Sequence, residues 1–231
     1  MKTIGLLGGM SWESIASYYR VINEGVRQAL GGLHSAKLCL YSVDFDAIET
    51  LQQQGRWDDA GVILARAAQS VEAGGADFLL LCTNTMHKVA PAIEAAISIP
   101  LLHIADATAE QLVNDSVSKV GLFGTQFTMA QDFYKGRLIN RYGIDVLVPH
   151  DQEQASAHNI IYSELCLGRV TDESRQQYLA MIDRLAERGA EAIILGCTEI
   201  GLLVQSQHTS VPLYDTTAIH AARAVSLAVA M

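Results

Sequence analysis

Two segments of this chain, 114 residues apart, follow one plan. The first reads Gly75-Ala76-Asp77-Phe78-Leu79-Leu80-Leu81-Cys82-Thr83-Asn84-Thr85; the second reads Gly189-Ala190-Glu191-Ala192-Ile193-Ile194-Leu195-Gly196-Cys197-Thr198-Glu199. Each is a small-residue pair, an acid, a short apolar run, then Cys and Thr. Such a run, apolar without alternation, reads as a strand buried on both faces. Two further blocks recur in the same order. Ile4-Gly5-Leu6-Leu7-Gly8 returns as Val120-Gly121-Leu122-Phe123-Gly124, and Pro100-Leu101-Leu102-His103 returns as Pro212-Leu213-Tyr214-Asp215. Ordered recurrence at near-constant spacing implies duplication into two similar halves. A thiol or hydroxyl beyond each matched strand suits chemistry at one carbon approached from opposite faces.

Eight strand-like runs punctuate the chain: Thr3–Leu7, Lys37–Val43, Ala76–Leu81, Pro100–Ile104, Lys119–Phe123, Ile144–Val148, Glu191–Leu195 and Val211–Tyr214. Amphipathic stretches lie between them, among them Trp57–Ala73, Phe127–Tyr142, Gln152–Leu167 and Thr171–Arg188. Strands alternating with helices predict an α/β fold of parallel sheets covered on both faces. The expected organisation is two pseudo-symmetric lobes. Residues 1–103 with a returning C-terminal helix, 216–231, form the first; residues 104–215 form the second. Strand C-termini are expected to line a cleft between them, where open α/β sheets bind ligands.

Half of the 231 residues are hydrophobic and only 18% are charged, so a full core is available and disorder is not expected. The net charge is −9, and no Lys/Arg cluster occurs, which argues against nucleic acid or an anionic membrane as partner. No run reaches the roughly 18 apolar residues of a membrane span. The apolar stretch after Met1-Lys2 is short and Gly-broken, unlike a signal peptide. The apolar Ala221–Met231 carries Arg223 and reads as a core-packed helix. A cytoplasmic protein with reduced thiols is expected. Cys39, Cys82, Cys166 and Cys197 form no CxxC pair, so no metal site is expected. Gly5-Leu6-Leu7-Gly8-Gly9 lacks the G-x-G-x-x-G spacing and its following acid, which argues against a dinucleotide.

Four loops follow strands: Gly8-Gly9-Met10-Ser11, Thr83-Asn84-Thr85, Gly124-Thr125-Gln126-Phe127-Thr128 and Cys197-Thr198-Glu199. Their Ser and Thr side chains could cap helices, and their free N–H groups could hold a carboxylate. Cys197 is the best candidate for a reactive group, since a helix N-terminus beside it would lower its pKa; the plain alternative is a buried thiol acting as a small hydrophobe. Cys82 and Thr83, adjacent on a strand, point to opposite faces. The ungapped repeat matches Thr83 to Cys197, while a one-residue shift matches Cys82 to it. His87 could face a cleft or solvent, and His103, Asp215 and His220 read as structural. Cys39 reads as core, and Trp12 and Trp57 as packing at helix starts.

In Gly8-Gly9-Met10-Ser11-Trp12-Glu13, Thr83-Asn84-Thr85-Met86-His87 and Gly196-Cys197-Thr198-Glu199, the chain resembles the aspartate/glutamate racemase superfamily over essentially its whole length. The aspartate racemase branch is the most similar. The resemblance implies two α/β lobes, no pyridoxal phosphate or other cofactor, no metal, and a homodimer acting on a small amino acid. It implies two thiols flanking the α-carbon, one removing the proton and the other returning it on the opposite face. Gly-Cys-Thr-Glu is intact, so Cys197 carries over as an acid/base thiol acting on the L-enantiomer. The first motif is usually Cys-Asn-Thr; here Thr83 replaces that Cys, and Cys82 stands one place early. Met10, Asn84, Thr85, Thr125, Thr198 and Glu199 carry over as substrate-binding. Gln52 and Cys166 stand where charged residues, Arg and Lys, would hold a side-chain carboxylate, which implies a changed or broadened substrate range.

The expected function is therefore cofactor-independent amino-acid racemisation, of aspartate/glutamate type or broader, with asymmetric activity. Two other readings remain: a single-thiol decarboxylase or isomerase of small dicarboxylates, and a ligand-binding protein with little turnover.

Overall fold

The glycine and acid that open each repeat do a structural job. In a computed structural model of the protein, which describes residues 1–230, the helix before each repeated strand stops at a glycine with positive φ, Gly75 (+88°) or Gly189 (+94°). That left-handed conformation is cheap only for glycine. The acid that follows then grips the neighbouring strand's first residues. Asp77 Oδ2 accepts from Thr3 N–H at 2.6 Å, and Glu191 Oε2 accepts from Ser118 N–H at 2.7 Å. The backbone N–H groups of Ser118 and Lys119, both donating to Glu191, hold its carboxyl below the usual carboxylate range.

The chain divides into two units, Met1–Ile104 with the segment from His220, and Ala105–Ile219. The first contains β1 (Ile4–Gly8), α1 (Trp12–Leu30), β2 (Leu38–Ser42), α2 (Phe45–Gln53), α3 (Trp57–Ala73), β3 (Phe78–Leu81), a 3-10 turn over Thr85–Val89, α4 (Ala90–Glu94) and β4 (Leu101–Leu102). After α5 (Ile104–Asn114) the second contains β5 (Lys119–Gly124), α6 (Gln126–Ala130), α7 (Asp132–Tyr142), β6 (Asp145–Leu147), α8 (Asp151–Ser163), a 3-10 turn over Leu165–Leu167, α9 (Asp172–Glu187), β7 (Ala192–Gly196), α10 (Ile200–Leu203) and β8 (Leu213–Asp215). The last helix, α11 (Thr216–Val229), contributes its part from His220 onward to the first unit.

Each unit has one four-stranded, all-parallel sheet, in the orders β2-β1-β3-β4 and β6-β5-β7-β8. The topologies are the same, and so is the register at the repeated strands. Ile4 pairs with Phe78 as Val120 pairs with Ala192, and Leu79 with Leu101 as Ile193 with Leu213. The fold is α/β, with both sheets flanked by helices, as the alternation of runs predicts.

Side chains leave each strand to alternate faces, and the core divides accordingly. Leu7, Leu79 and Leu81 pack with Leu64, Ala68 and Val71 of α3 on one face of the first sheet. Ile4, Leu6, Phe78, Leu80 and Cys82 pack with Tyr18 and Ile22 of α1 and with Ala221, Ala224 and Val225 of α11 on the other. Ala221 onward is thus core-packed helix, although Met231 lies outside the described residues. In the second unit Phe123, Ile193, Leu195 and Cys197 share one cluster with residues of α8 and α9. Fully burying each of the larger aliphatic side chains contributes roughly 1.5–3 kcal/mol.

Three sequence expectations need correction. Phe127–Tyr142 is two helices, broken at Gln131, whose backbone is extended (ψ 157°). The Gln152–Leu167 stretch leaves the α-helix after Ser163 and tightens into the 3-10 turn. Trp12 does not pack: it is 67% exposed at the first turn of α1. Trp57 does pack against the core and also receives the Lys88 ammonium 4.0 Å over its ring.

Candidate active site

The C-terminal ends of the two middle strands of a parallel sheet are where such folds place ligands. In the first unit these are the ends of β1 and β3, which carry Met10 and Thr83-Asn84-Thr85; in the second, those of β5 and β7, which carry Thr125 and Cys197-Thr198-Glu199.

At the end of β3 the pleat continues through Cys82, whose N–H donates to Leu7 O at 2.9 Å. Its side chain therefore shares the parity of Leu80 and lies in the core beneath α1 and α11. Burial pushes the Cys82 thiol well above its ordinary pKa. Thr83 takes the opposite parity, and its N–H closes a tight turn onto Leu81 O at 2.9 Å. Because Phe123 pairs with Leu195 as Leu7 pairs with Leu81, the register equates Cys82 with Gly196 and Thr83 with Cys197. Gly196 cannot hold a thiol of its own: a Cβ there would meet Phe123 O at 2.5 Å.

Thr83, Asn84 and Thr85 are all buried, as are Met10 and Gln52. Gln52, on α2, points its Nε2 at Met86 Sδ (2.8 Å), so the structure ties it to the core side of the Thr83 turn. His87 is buried inward rather than facing solvent. Its Nδ1 lies 2.7 Å from Thr83 O, and its Nε2 accepts the Ile104 N–H at 3.2 Å. His103 stacks against it at 4.3 Å between ring centres. His220 lies farther along the same buried row, bonded to Tyr18 Oη and Leu102 O, and its burial depresses its pKa to about 4.

At the end of β7 the arrangement is acidic. Glu199 is buried, and its Oε2 accepts both the Cys197 thiol (2.9 Å) and the Thr198 hydroxyl (2.7 Å). The expectation of a lowered thiol pKa is overturned. Burial, then the Glu199 carboxylate, then the nearby Cys166 push the Cys197 thiol well up. The helix meant to lower it, α10, is only four residues long, and a dipole that short cannot outweigh burial beside a carboxylate. Cys166, in the 3-10 turn after α8, is half-buried against the same cluster.

Of the four strand-end loops, only the β5 loop uses a side chain to cap its helix: Thr125 Oγ1 accepts the Thr128 N–H at 3.3 Å. The sequence reading passed over His158, whose Nδ1 accepts the next N–H, that of Gln126, at 3.2 Å. Its ring contacts Phe127 and Tyr162, and burial lowers its pKa. The i, i+4, i+8 spacing of His158, Tyr162 and Cys166 was the available signal. Among the described residues no group of three or more His, Cys, Asp or Glu is placed to hold a metal ion, and no helix is long and apolar enough to cross a membrane.

Residues 7–224 match the family model described as Asp/Glu/Hydantoin racemase. The chain is 22% identical over 228 residues to the broad specificity amino-acid racemase RacX of Bacillus subtilis, covering 96% of both chains. A crystal structure from Yersinia pestis, provisionally assigned as an Asp/Glu racemase, is 53% identical with a TM-score of 0.93 over the full length of both chains. An aspartate racemase homologue from Pyrococcus horikoshii is 34% identical with a TM-score of 0.85, over 99% of both. With the family model spanning most of the chain and these relatives covering nearly all of it, the chain belongs to the Asp/Glu/hydantoin racemase family: it is an amino-acid racemase, an isomerase.

Proposed function

We propose that this racemase is of the aspartate/glutamate type, works without a cofactor, and uses its two strand ends unequally. The observation that carries this reading is the 2.9 Å contact between the Cys197 thiol and the buried Glu199 carboxylate. A thiol with a raised pKa is a reluctant acid, but its thiolate is correspondingly the stronger base toward a weakly acidic α-proton. Glu199 aligns the thiol proton of Cys197 and receives it, which leaves the thiolate free to take the α-proton. The substrate's ammonium group then offsets the negative charge that accumulates there.

Cys197, as thiolate, removes the α-proton of the L-enantiomer, and the resulting carbanion is stabilised by hydrogen-bond donors around its carboxylate. Asn84, Thr85, Thr125 and Thr198 supply such donors. Thr83 stands where a second thiol would complete a symmetric pair. A hydroxyl has no accessible ionisation near neutral pH, so it can relay or donate a proton but is a poor base. Exchange from the L side should then outrun conversion from the D side. Gln52 and Cys166, both uncharged, leave the range open to side chains other than the two acids. Relatives with names as different as broad specificity racemase and aspartate racemase homologue fit that range.

The test is α-proton exchange in heavy water, followed by NMR for L- and D-aspartate and L- and D-glutamate separately. Fast exchange of the L forms with slow exchange of the D forms is expected. Equal rates from both sides would refute the asymmetric mechanism.

One observation favours a second reading. With Cys82 in the core, the repeated strand ends offer a single thiol, and one acid suffices when a lost carboxylate or a shifted double bond replaces the first proton removal. Turnover of malonates or maleate without α-exchange of amino acids would select that reading.

A further inference from the structure

His87 makes two hydrogen bonds that together fix its state. Its Nε2 accepts the Ile104 N–H, so that nitrogen carries no proton, and the neutral ring's proton sits on Nδ1. Nδ1–H therefore donates to the Thr83 carbonyl at 2.7 Å. The ring is buried, and its own backbone N–H donates to Asn84 O at 3.1 Å, so it is anchored at three points. We propose that His87 is a positioning residue for the first strand end: by holding the Thr83 carbonyl inward it sets the direction of the Thr83 side chain and of the Asn84 N–H. The inference rests on the racemase reading above.

The reason is the geometry of one peptide. The Thr83–Asn84 bond is trans, so its C=O and N–H point in opposite directions. Turning the carbonyl toward His87 aims the Asn84 N–H away from the histidine, out past the end of β3. Thr83 N–H is already committed to Leu81 O. With both of its backbone groups held, Thr83 has little freedom left except χ1. A placement error of about 1 Å at a reacting centre can cost on the order of 100-fold.

Two substitutions divide the roles of the ring. In His87→Asn the Nδ2 takes the place of Nδ1 and keeps the donor to Thr83 O; the Ile104 N–H loses its acceptor. In His87→Gln the Oε1 keeps that acceptor, and the donor is lost. Each variant leaves one buried backbone group without its partner, so both should lower Tm by similar amounts. Only His87→Gln should slow conversion of the D-enantiomer, in kcat and by about 10- to 100-fold, with KM within about threefold and L α-exchange within about threefold of wild type. His87→Asn should stay within about threefold of wild type in all of these. In the wild type, 15N NMR should show His87 protonated at Nδ1 and not at Nε2. Equal losses in the two variants, a loss of L α-exchange in His87→Gln as large as its loss of D-enantiomer conversion, or the opposite tautomer would each overturn the positioning role. A wild-type protein that exchanges no amino acid would instead remove the racemase reading, and this inference with it.

Discussion

The ends of β3 and β7 occupy equivalent places in two sheets of the same topology, yet their side chains are arranged oppositely. At β3 the thiol, Cys82, falls on the parity that enters the core, and the strand end is left with the hydroxyl of Thr83, backed by the neutral histidine His87. At β7 the position equivalent to Cys82 is Gly196, and the next position carries the thiol of Cys197, buried on the face of Ile193 and Leu195 and backed by the carboxylate of Glu199. Shifting a thiol by one residue along a strand moves it to the other face of the sheet, because the side-chain period is two. A sequence can thus keep both of its cysteines near matching positions and still send them to non-equivalent faces of their sheets.

The comparison can be broken most directly at β7. Cys197→Ala should abolish L α-exchange, a loss of at least about 10³-fold; retained exchange would remove the central claim. Glu199→Gln should lower the maximal rate by about 100-fold. It should also change the pH profile. The wild-type rate is expected to climb as pH rises above neutral, because a thiol with a raised pKa yields more thiolate there. Removing the carboxylate removes one cause of that elevation, so the limb should move to lower pH. A limb that stays in place would mean Glu199 does not govern the thiol.

At β3 the buried histidines give a different pH signature. The pKa of His220 falls from 6.5 to about 4 on burial. The stability it contributes is therefore complete above about 6.5 and is lost as pH falls toward 4. By linkage about 2 kcal/mol should disappear between pH 7 and pH 5, measured by chemical denaturation. His220→Gln should flatten that dependence; an unchanged slope would assign it elsewhere.

Thr83→Cys would restore a thiol at the position equivalent to Cys197 and should raise two-way interconversion about tenfold, given the greater acidity of a thiol. The smallest effect belongs to Cys82→Ala. It should cost about 1 kcal/mol of stability for the cavity left in the core, with the exchange rate unchanged. A large kinetic loss there would show that the wrong residue of the pair had been placed at the site.

Much of this was legible in the chain. The eight apolar runs gave eight strands, because a parallel sheet covered on both faces demands unbroken apolarity. Thr171 and Thr125 signalled helix starts and do cap them. What misled was local. Phe127–Tyr142 keeps helical periodicity through Gln131, yet the chain there turns extended to begin a second helix. The Cys197 motif suggested an activating helix, but the element is one turn long and the carboxylate beside the thiol outweighs it. His87 was visible only as a histidine after a strand-end loop; its partners, Thr83 O and the Ile104 N–H, include one brought near only by the path of β4.

The sequence by itself determined the α/β class, the internal repeat and the strands, since all of these follow from the order and period of apolar and polar residues; which cysteine stands in which motif came from the family resemblance. Only the tertiary structure decided which face of its sheet each thiol takes, which carboxylate touches Cys197, and which way the Thr83 carbonyl turns. Those depend on side-chain direction and on neighbours distant in the chain, where differences of an ångström separate a hydrogen bond from none.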